Sequence, residues 1–173
     1  MDLRTPRLIL RPIAVSDAGA LFVARGDPVV MRFWDWPTQQ SVADVEDVLR
    51  RYAPDPSDES MLWWAVALAP DGPAIGECDL NTIDRQHRRA EVGYLFARAY
   101  WGQGYAAEAT RAVIAYAFGA LGLERLTARI HKGNSASVRL IERLNFRHEG
   151  TMRGYILRDG ERRDCLVYGR LKE

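Results

Sequence analysis

A chain of 173 residues is long enough to enclose one sizeable core, and it suits a single domain over residues 1–173. Its 24 basic and 23 acidic side chains leave a formal charge of +1, which argues against a strong attraction to nucleic acid. No segment is long and apolar enough to span a membrane, and the start, Met1-Asp-Leu-Arg-Thr-Pro-Arg7, lacks the apolar stretch of a secretory leader. Cys78 and Cys165 lie far apart with no metal-like spacing, so the expectation is a cytoplasmic protein with two unpaired thiols and no metal.

Residues 7–13 read as a first strand, with Pro12 near its end. Ser16-Asp17 is placed to cap a helix over 18–25, and Ser41 to cap a second, with Asp44 in its first turn. In that second helix Val42, Val45, Val48, Leu49 and Tyr52 fall on one face. Pro54-Asp-Pro-Ser-Asp58 breaks it and predicts a polar loop. Residues 62–68 form a strand, Pro70-Asp-Gly72 a turn, and 74–84 the returning strand. After a polar turn at His87-Arg-Arg89, residues 91–96 complete an antiparallel meander. Trp63 and Trp64 alternate, so one faces the core and the other a site or solvent.

The main helix is predicted over 105–121, with Gly122 where a C-cap needs positive φ. A strand over 126–131 and a helix over 135–144, ended by Asn145, follow. Strands at 147–155 and 163–171 are joined across Arg158-Asp-Gly160, a hairpin signal. The order β-α-α-β-β-β-α-β-α-β-β defines an α+β fold: a mostly antiparallel sheet with one central parallel pair, flanked by helices.

The most informative stretch joins strand 91–96 to helix 105–121. Gly102 and Gly104 stand just before the helix. The first helical N–H groups lack intrahelical partners and the dipole is positive there, so a glycine-bearing loop at this point suits a bulky phosphate. The same pattern also suits a tight turn with close helix packing. It is neither a P-loop nor a dinucleotide fingerprint: no Gly-Lys-Ser/Thr follows, and Ala107 stands where a third glycine is needed.

The ordered set of short motifs resembles the GNAT superfamily of acetyl-CoA-dependent N-acetyltransferases, and within it the RimJ/RimL-type group that acetylates ribosomal-protein N-termini. It runs from Thr5-x-Arg-Leu-x-Leu-Arg11 through Glu91-x-Gly-Tyr94 and Tyr100-Trp-Gly-x-Gly-Tyr-Ala-x-Glu-Ala109. It continues with Asn134-x-x-Ser137, Glu142-x-Leu-Asn-Phe146, Glu149-Gly-Thr-x-Arg153 and Asp164-x-x-x-Tyr168. The chain departs from the broad superfamily in three places. Trp101 replaces an Arg or Gln before the loop. Ile141 stands where many members carry a tyrosine acid. Asn145 replaces the glycine of Leu-Gly-Phe, and asparagine tolerates the left-handed conformation.

The resemblance implies acetyl-CoA as cosubstrate and an amine as acceptor, either a protein N-terminus or a small amine. It implies pyrophosphate contacts from Trp101, Gly102, Gln103, Gly104, Tyr105 and Ala106, and pantetheine pairing along the strand edge at Leu95 and Phe96. Asn134 reads as a helix cap and as a pantetheine contact. Ser137 is the implied proton donor to the thiolate, and Glu91 the leading candidate base, with Glu149, Glu77 and His131 behind it. The segment Asp27-Pro-Val-Val-Met-Arg-Phe-Trp-Asp-Trp-Pro37 is expected to line the acceptor groove through Trp34, Asp35 and Trp36, although its aromatics equally suit a core. Lys132 reads as a solvated lysine or a charge near the cosubstrate. The edge of the terminal hairpin leaves room for a homodimer. The alternative reading is a non-catalytic acyl-CoA sensor on the same fold.

Overall fold

Eight strands form one sheet in the computed structural model, which describes residues 1–52 and 60–173; the polar loop expected at 54–58 lies outside them. The strands are β1 (Leu3–Arg4), β2 (Ile9–Pro12), β3 (Leu62–Ala67), β4 (Ala74–Asp84), β5 (Arg89–Phe96), β6 (Arg125–His131), β7 (Arg147–Arg158) and β8 (Glu161–Leu171). Their spatial order is β1-β2-β3-β4-β5-β6-β8-β7. All neighbours are antiparallel except β5 and β6, the expected central parallel pair.

The helices are α1 (Ala18–Arg25), α2 (Pro28–Met31), α3 (Val42–Tyr52), α4 (Tyr105–Phe118) and α5 (Ser135–Arg143). Two elements exceed the sequence reading. β1 forms because a turn from Thr5 to Leu8, with Leu8 N–H donating to Thr5 Oγ1 at 2.9 Å, folds the first residues back onto β2. α2 is a single turn, too short for periodicity to reveal; Asp27 caps it and Pro28 opens it. Conversely, α4 stops at Phe118, three residues early, and unwinds through Gly119 before Gly122 turns at φ +65°.

Ser41 and Asp44 cap α3 reciprocally: Ser41 Oγ accepts from Asp44 N–H at 3.2 Å, and Asp44 Oδ2 accepts from Ser41 N–H at 3.0 Å. Asp17 instead reaches back to Ala14 N–H and pairs with Arg11 at 2.6 Å. Asn145 adopts φ +62° and ends α5 as expected.

Alternation along the central strands divides the core into two layers. Trp64, Val66, Cys78, Leu80, Val92 and Phe96 pack with α4 and α5 on one face. Trp63, Ala65 and Ala74 pack with α1 and α3 on the other. Burial on both faces explains why Leu62-Trp-Trp-Ala-Val-Ala67 reads as a continuous apolar run. Both cysteines are buried and unpaired.

Two features of the sheet position the site. First, β5 and β6 are paired only from Arg89–Arg125 to Glu91–Thr127, then part, although both strands run on to Phe96 and His131. Second, the β7–β8 hairpin, turned at Asp159 and Gly160 (φ +53° and +78°), reaches across to the segment after α2. There Arg158 Nη1 donates to the carbonyls of Met31 and Trp34, and Arg163 Nη1 to that of Arg32.

Candidate active site

The loop before α4 has the geometry of an anion cradle. Gly102 and Gly104 hold φ of +74° and +82°, a region costly for any residue with a Cβ. Gly104 occupies the N-cap position, and no side chain caps the helix, so the first-turn N–H groups face outward. Trp101, Gly102, Gln103 and Gly104 are exposed, and Tyr105 and Ala106 are half-buried. The loop is held from behind: Arg7 Nη1 donates to the Gln103 carbonyl at 3.0 Å, and Gln103 Nε2 to that of Ala99 at 2.9 Å. Trp101 Nε1 donates to the Phe96 carbonyl at 2.8 Å, tying the loop to the end of β5.

At that end of β5 the backbone alternates. Ala97 N–H donates to the Ile75 carbonyl, so Ala97 and, two residues back, Leu95 turn their backbone groups toward β4. Tyr94 and Phe96 turn theirs toward the gap left by β6. The strand edge expected at Leu95 and Phe96 is therefore provided by Tyr94 and Phe96, while the Leu95 side chain packs into the core.

Across the gap, Asn134 Oδ1 accepts from Ser137 N–H at 3.2 Å, the expected N-cap of α5. The Tyr94 hydroxyl reaches the Ser137 carbonyl at 3.5 Å, and burial pushes its phenol up to about 12, so it stays protonated. Tyr94, Asn134 and Ser137 all line one cavity of about 380 Å³.

This cavity straddles the split. Val92, Gly93 and Tyr94 line it from β5, and Ala128, Arg129, Ile130 and His131 from β6. The predicted acceptor segment forms another wall with Phe33, Trp34, Asp35 and Trp36; Tyr52, Met61 and Trp63 add apolar surface. Of the tryptophan pair, Trp63 faces the cavity and Trp64 the core.

Charges in the cavity are largely paired. Glu91 accepts from Arg129 Nε at 2.8 Å through both oxygens. Glu77 is buried in a pair with Arg25, at 2.6 and 3.2 Å. Asp35 Oδ1 lies 2.7 Å from His131 Nε2, and Arg129 approaches its other oxygen at 3.7 Å. The His131 bond, aided by Arg129, holds the Asp35 carboxyl below its ordinary range. Asp79 is different: it is buried, has no ion-pair partner among the described residues, and accepts only from Asn81 Nδ2 at 2.7 Å. Burial raises its carboxyl to about 7, aided by Glu77 and Glu91 and opposed by Asn81 and Arg25.

Asp79, Arg25 and Arg129 were not singled out from the sequence. One signal was present: in Glu77-Cys-Asp-Leu-Asn81 the polar residues recur every second position, and all three line the cavity, while Cys78 and Leu80 enter the core. The remaining candidates lie elsewhere. Glu149 makes a bidentate pair with Arg125 beneath Gly169, outside the cavity, and Lys132 pairs with Asp164 at 3.1 Å.

A glycine loop on an uncapped helix N-terminus opens beside an unpaired strand edge and a lined cavity, an arrangement able to seat an anionic group next to an extended chain. The sequence profile of the acetyltransferase (GNAT) domain matches residues 7–147. The chain is 32% identical over 170 residues to the uncharacterized N-acetyltransferase YoaA of Bacillus subtilis (strain 168), covering 98% of this chain and 96% of that one. It is 25% identical over 157 residues to spermidine N(1)-acetyltransferase of Escherichia coli (strain K12), covering 91% and 82%. In structure it superposes on spermidine N-acetyltransferase from Vibrio cholerae, solved in complex with CoA and spermine, with a TM-score of 0.83 at 22% identity over 96% of both chains. The chain belongs to the GNAT acetyltransferase family and is an N-acetyltransferase.

Proposed function

We propose that this chain is a cytoplasmic enzyme, a single catalytic domain, that acetylates a small primary amine carrying one ammonium group and an apolar body. The observation that carries the reading is the cavity straddling the β5–β6 split, walled by aromatics, in which ion pairs occupy every lining carboxylate but Asp79 and so leave one place for an ammonium group. A polyamine needs separated anionic sites, yet Glu77 and Glu91 are already neutralised by Arg25 and Arg129. Arg158 and Arg163 tie the β7–β8 hairpin to the segment after α2 and so fix the backbone that carries Phe33, Trp34 and Asp35 into the cavity wall. A volume near 380 Å³ suits a small molecule. The unpaired thiols suit a reducing compartment.

Acetyl-CoA, when bound, supplies the thioester. The residues present fit it. N–H groups of Gly102, Gln103, Gly104 and Ala106, at the uncapped start of α4, would hold the pyrophosphate, with Trp101 and Tyr105 as flanking surface. The open backbone of Tyr94 and the N–H of Phe96, whose carbonyl is taken by Trp101, would offer a strand edge to pantetheine amides, and an N–H there would stabilise the oxyanion that forms at the acetyl carbonyl. Asn134 fixes the first turn of α5 through its cap, lines the cavity and would contact the pantetheine arm. Ser137 delivers a proton to the departing thiolate. The amine enters past Trp34, Asp35 and Trp36. Glu91, held by Arg129 through both oxygens, shapes the site as one half of an ion pair. The motifs Tyr100-Trp-Gly102 and Asn134-x-x-Ser137 support a position beside the RimJ/RimL-like group.

The test is acceptor-dependent release of free CoA, followed with a thiol reagent. The panel spans alkyl and arylalkyl monoamines, spermidine and peptides with varied N-termini. Monoamines with apolar bodies are expected to give the highest kcat/KM. A peptide or spermidine ranking first by tenfold or more sinks the acceptor assignment.

A further inference from the structure

We propose that Asp79, not Glu91, receives the acceptor's ammonium group and takes its proton; the proposal rests on the acetyltransferase reading of the same cavity.

Three observations meet at this carboxylate. It is the one carboxylate lining the cavity, among the described residues, that no cation occupies: Arg25 holds Glu77, Arg129 holds Glu91, and His131 and Arg129 share Asp35. A buried acid without a counter-charge costs stability, so its position calls for a visiting cation. Second, its place depends on Gly93. The two residues stand opposite each other in the β4–β5 ladder, and a Cβ at 93 would overlap Asp79 Oδ1 and lie 3.0 Å from Oδ2. The glycine of Glu91-x-Gly-Tyr94 thus leaves the carboxylate room to lie across β5, next to the strand's open edge. Gly93 needs no positive φ, so space is its reason for being there. Third, the surroundings hold the proton near neutrality. From its own strand Glu77 and Asn81 face it; from β5, Glu91; from α1, Arg25; across the cavity, Arg129, His131 and Asp35. Burial dominates, and the carboxyl titrates at about 7, where it can accept from an ammonium and release to water at physiological pH.

The step balances as follows. R–NH3⁺ transfers one proton to Asp79 and becomes R–NH2. The nitrogen lone pair forms the C–N bond at the thioester carbon, and the C–S bond breaks. The second nitrogen proton leaves as the amide forms, while Ser137 relays one proton to the thiolate, giving CoA thiol. Asp79 returns its proton to solvent once the amide departs, so one proton is released per turnover.

The experiment compares kcat/KM against pH for wild type, Asp79→Asn, Glu91→Gln and Gly93→Ala, with 2-phenylethylamine and saturating acetyl-CoA. Wild type is expected to rise with an apparent pKa near 7. Asp79→Asn should lose roughly 100-fold or more at pH 7 and its residual rate should climb through pH 9, as only free amine in solution reacts. Gly93→Ala should fall in the same direction, and both should keep acetyl-CoA affinity by calorimetry. Glu91→Gln should keep the rise near pH 7 even if its rate drops. Retention of that rise in Asp79→Asn, or its loss in Glu91→Gln alone, overturns the assignment. If wild type binds acetyl-CoA but turns over no amine, the transfer reading fails separately. Asp79 is then judged by 2-phenylethylammonium binding, which must weaken at least tenfold in Asp79→Asn, and an equal Kd rejects it.

Discussion

Arg7 and Glu108 meet beneath the glycine loop: Arg7 Nε donates to Glu108 Oε2 at 2.7 Å, and Arg7 N–H to Oε1 at 3.0 Å. Thr5 Oγ1 adds a 2.6 Å bond to the same carboxylate, and Arg7 Nη1 holds the Gln103 carbonyl. Residues a hundred positions apart thus brace the first turn of α4, and Arg7 balances an acidic side chain placed where an anion must dock. Arg7→Ala should weaken acetyl-CoA binding by about tenfold, the scale of one charge-assisted hydrogen bond at a partly exposed site. Turnover at saturation should hardly change. Calorimetry with acetyl-CoA and a kcat measurement check this; a lower kcat with unaltered binding would contradict it.

Ser137 sits in the first turn of α5, its N–H bound to Asn134 and its carbonyl near the Tyr94 hydroxyl, with the residue lining the cavity. Ser137→Ala removes only the side-chain oxygen and leaves those backbone bonds intact. Turnover should drop roughly 10- to 100-fold at unchanged acetyl-CoA affinity. If kcat holds, Tyr94, whose phenol stays protonated across the working range, becomes the donor to examine by Tyr94→Phe.

Arg25 and Glu77 form a pair that is almost wholly buried, with side-chain exposures of 5% and 1%. Arg25→Met leaves Glu77 uncompensated beside Asp79, and a loss of about 3–5 kcal/mol is expected in urea unfolding. The double variant Arg25→Met/Glu77→Met should regain most of it, because two apolar side chains of similar volume avoid the desolvation cost. A double variant as unstable as the single one would show that the pair itself, not the orphaned charge, carries the stability.

Asp79 also links folding to pH. Its folded carboxyl titrates at about 7, against roughly 3.9 in an unfolded chain. A raised folded value means the stability is fully present below about pH 4 and is lost as pH climbs toward 7, because the unfolded chain gives up the proton first. The loss levels off at roughly 4 kcal/mol, three units at 1.36 kcal/mol each. Asp79→Asn should therefore be the more stable protein at pH 8 and indistinguishable near pH 4. Thermal melts across that range decide it, and parallel pH curves for the two proteins would refute the buried, uncompensated acid.

Much of this protein was settled by the chain alone. Periodicity and turn residues were enough for the order of strands and helices, because alternation and helical spacing are local properties. Gly102 and Gly104 marked the loop, and Asn134 and Asn145 the two ends of α5, since capping and positive φ are dictated by single residue types. The elements that escaped were those with no local pattern: α2 is one turn long, and β1 exists only by folding back on β2. The tertiary structure decided the charges. Glu91 looked like a free base until Arg129, 38 residues on, closed around it; Asp79 looked like any polar strand residue until Arg25 and Arg129 were seen to hold its neighbours and leave it alone. A side chain's proton affinity depends on what surrounds it in space, and in a sheet whose central strands part, those surroundings are brought together from distant stretches of the chain.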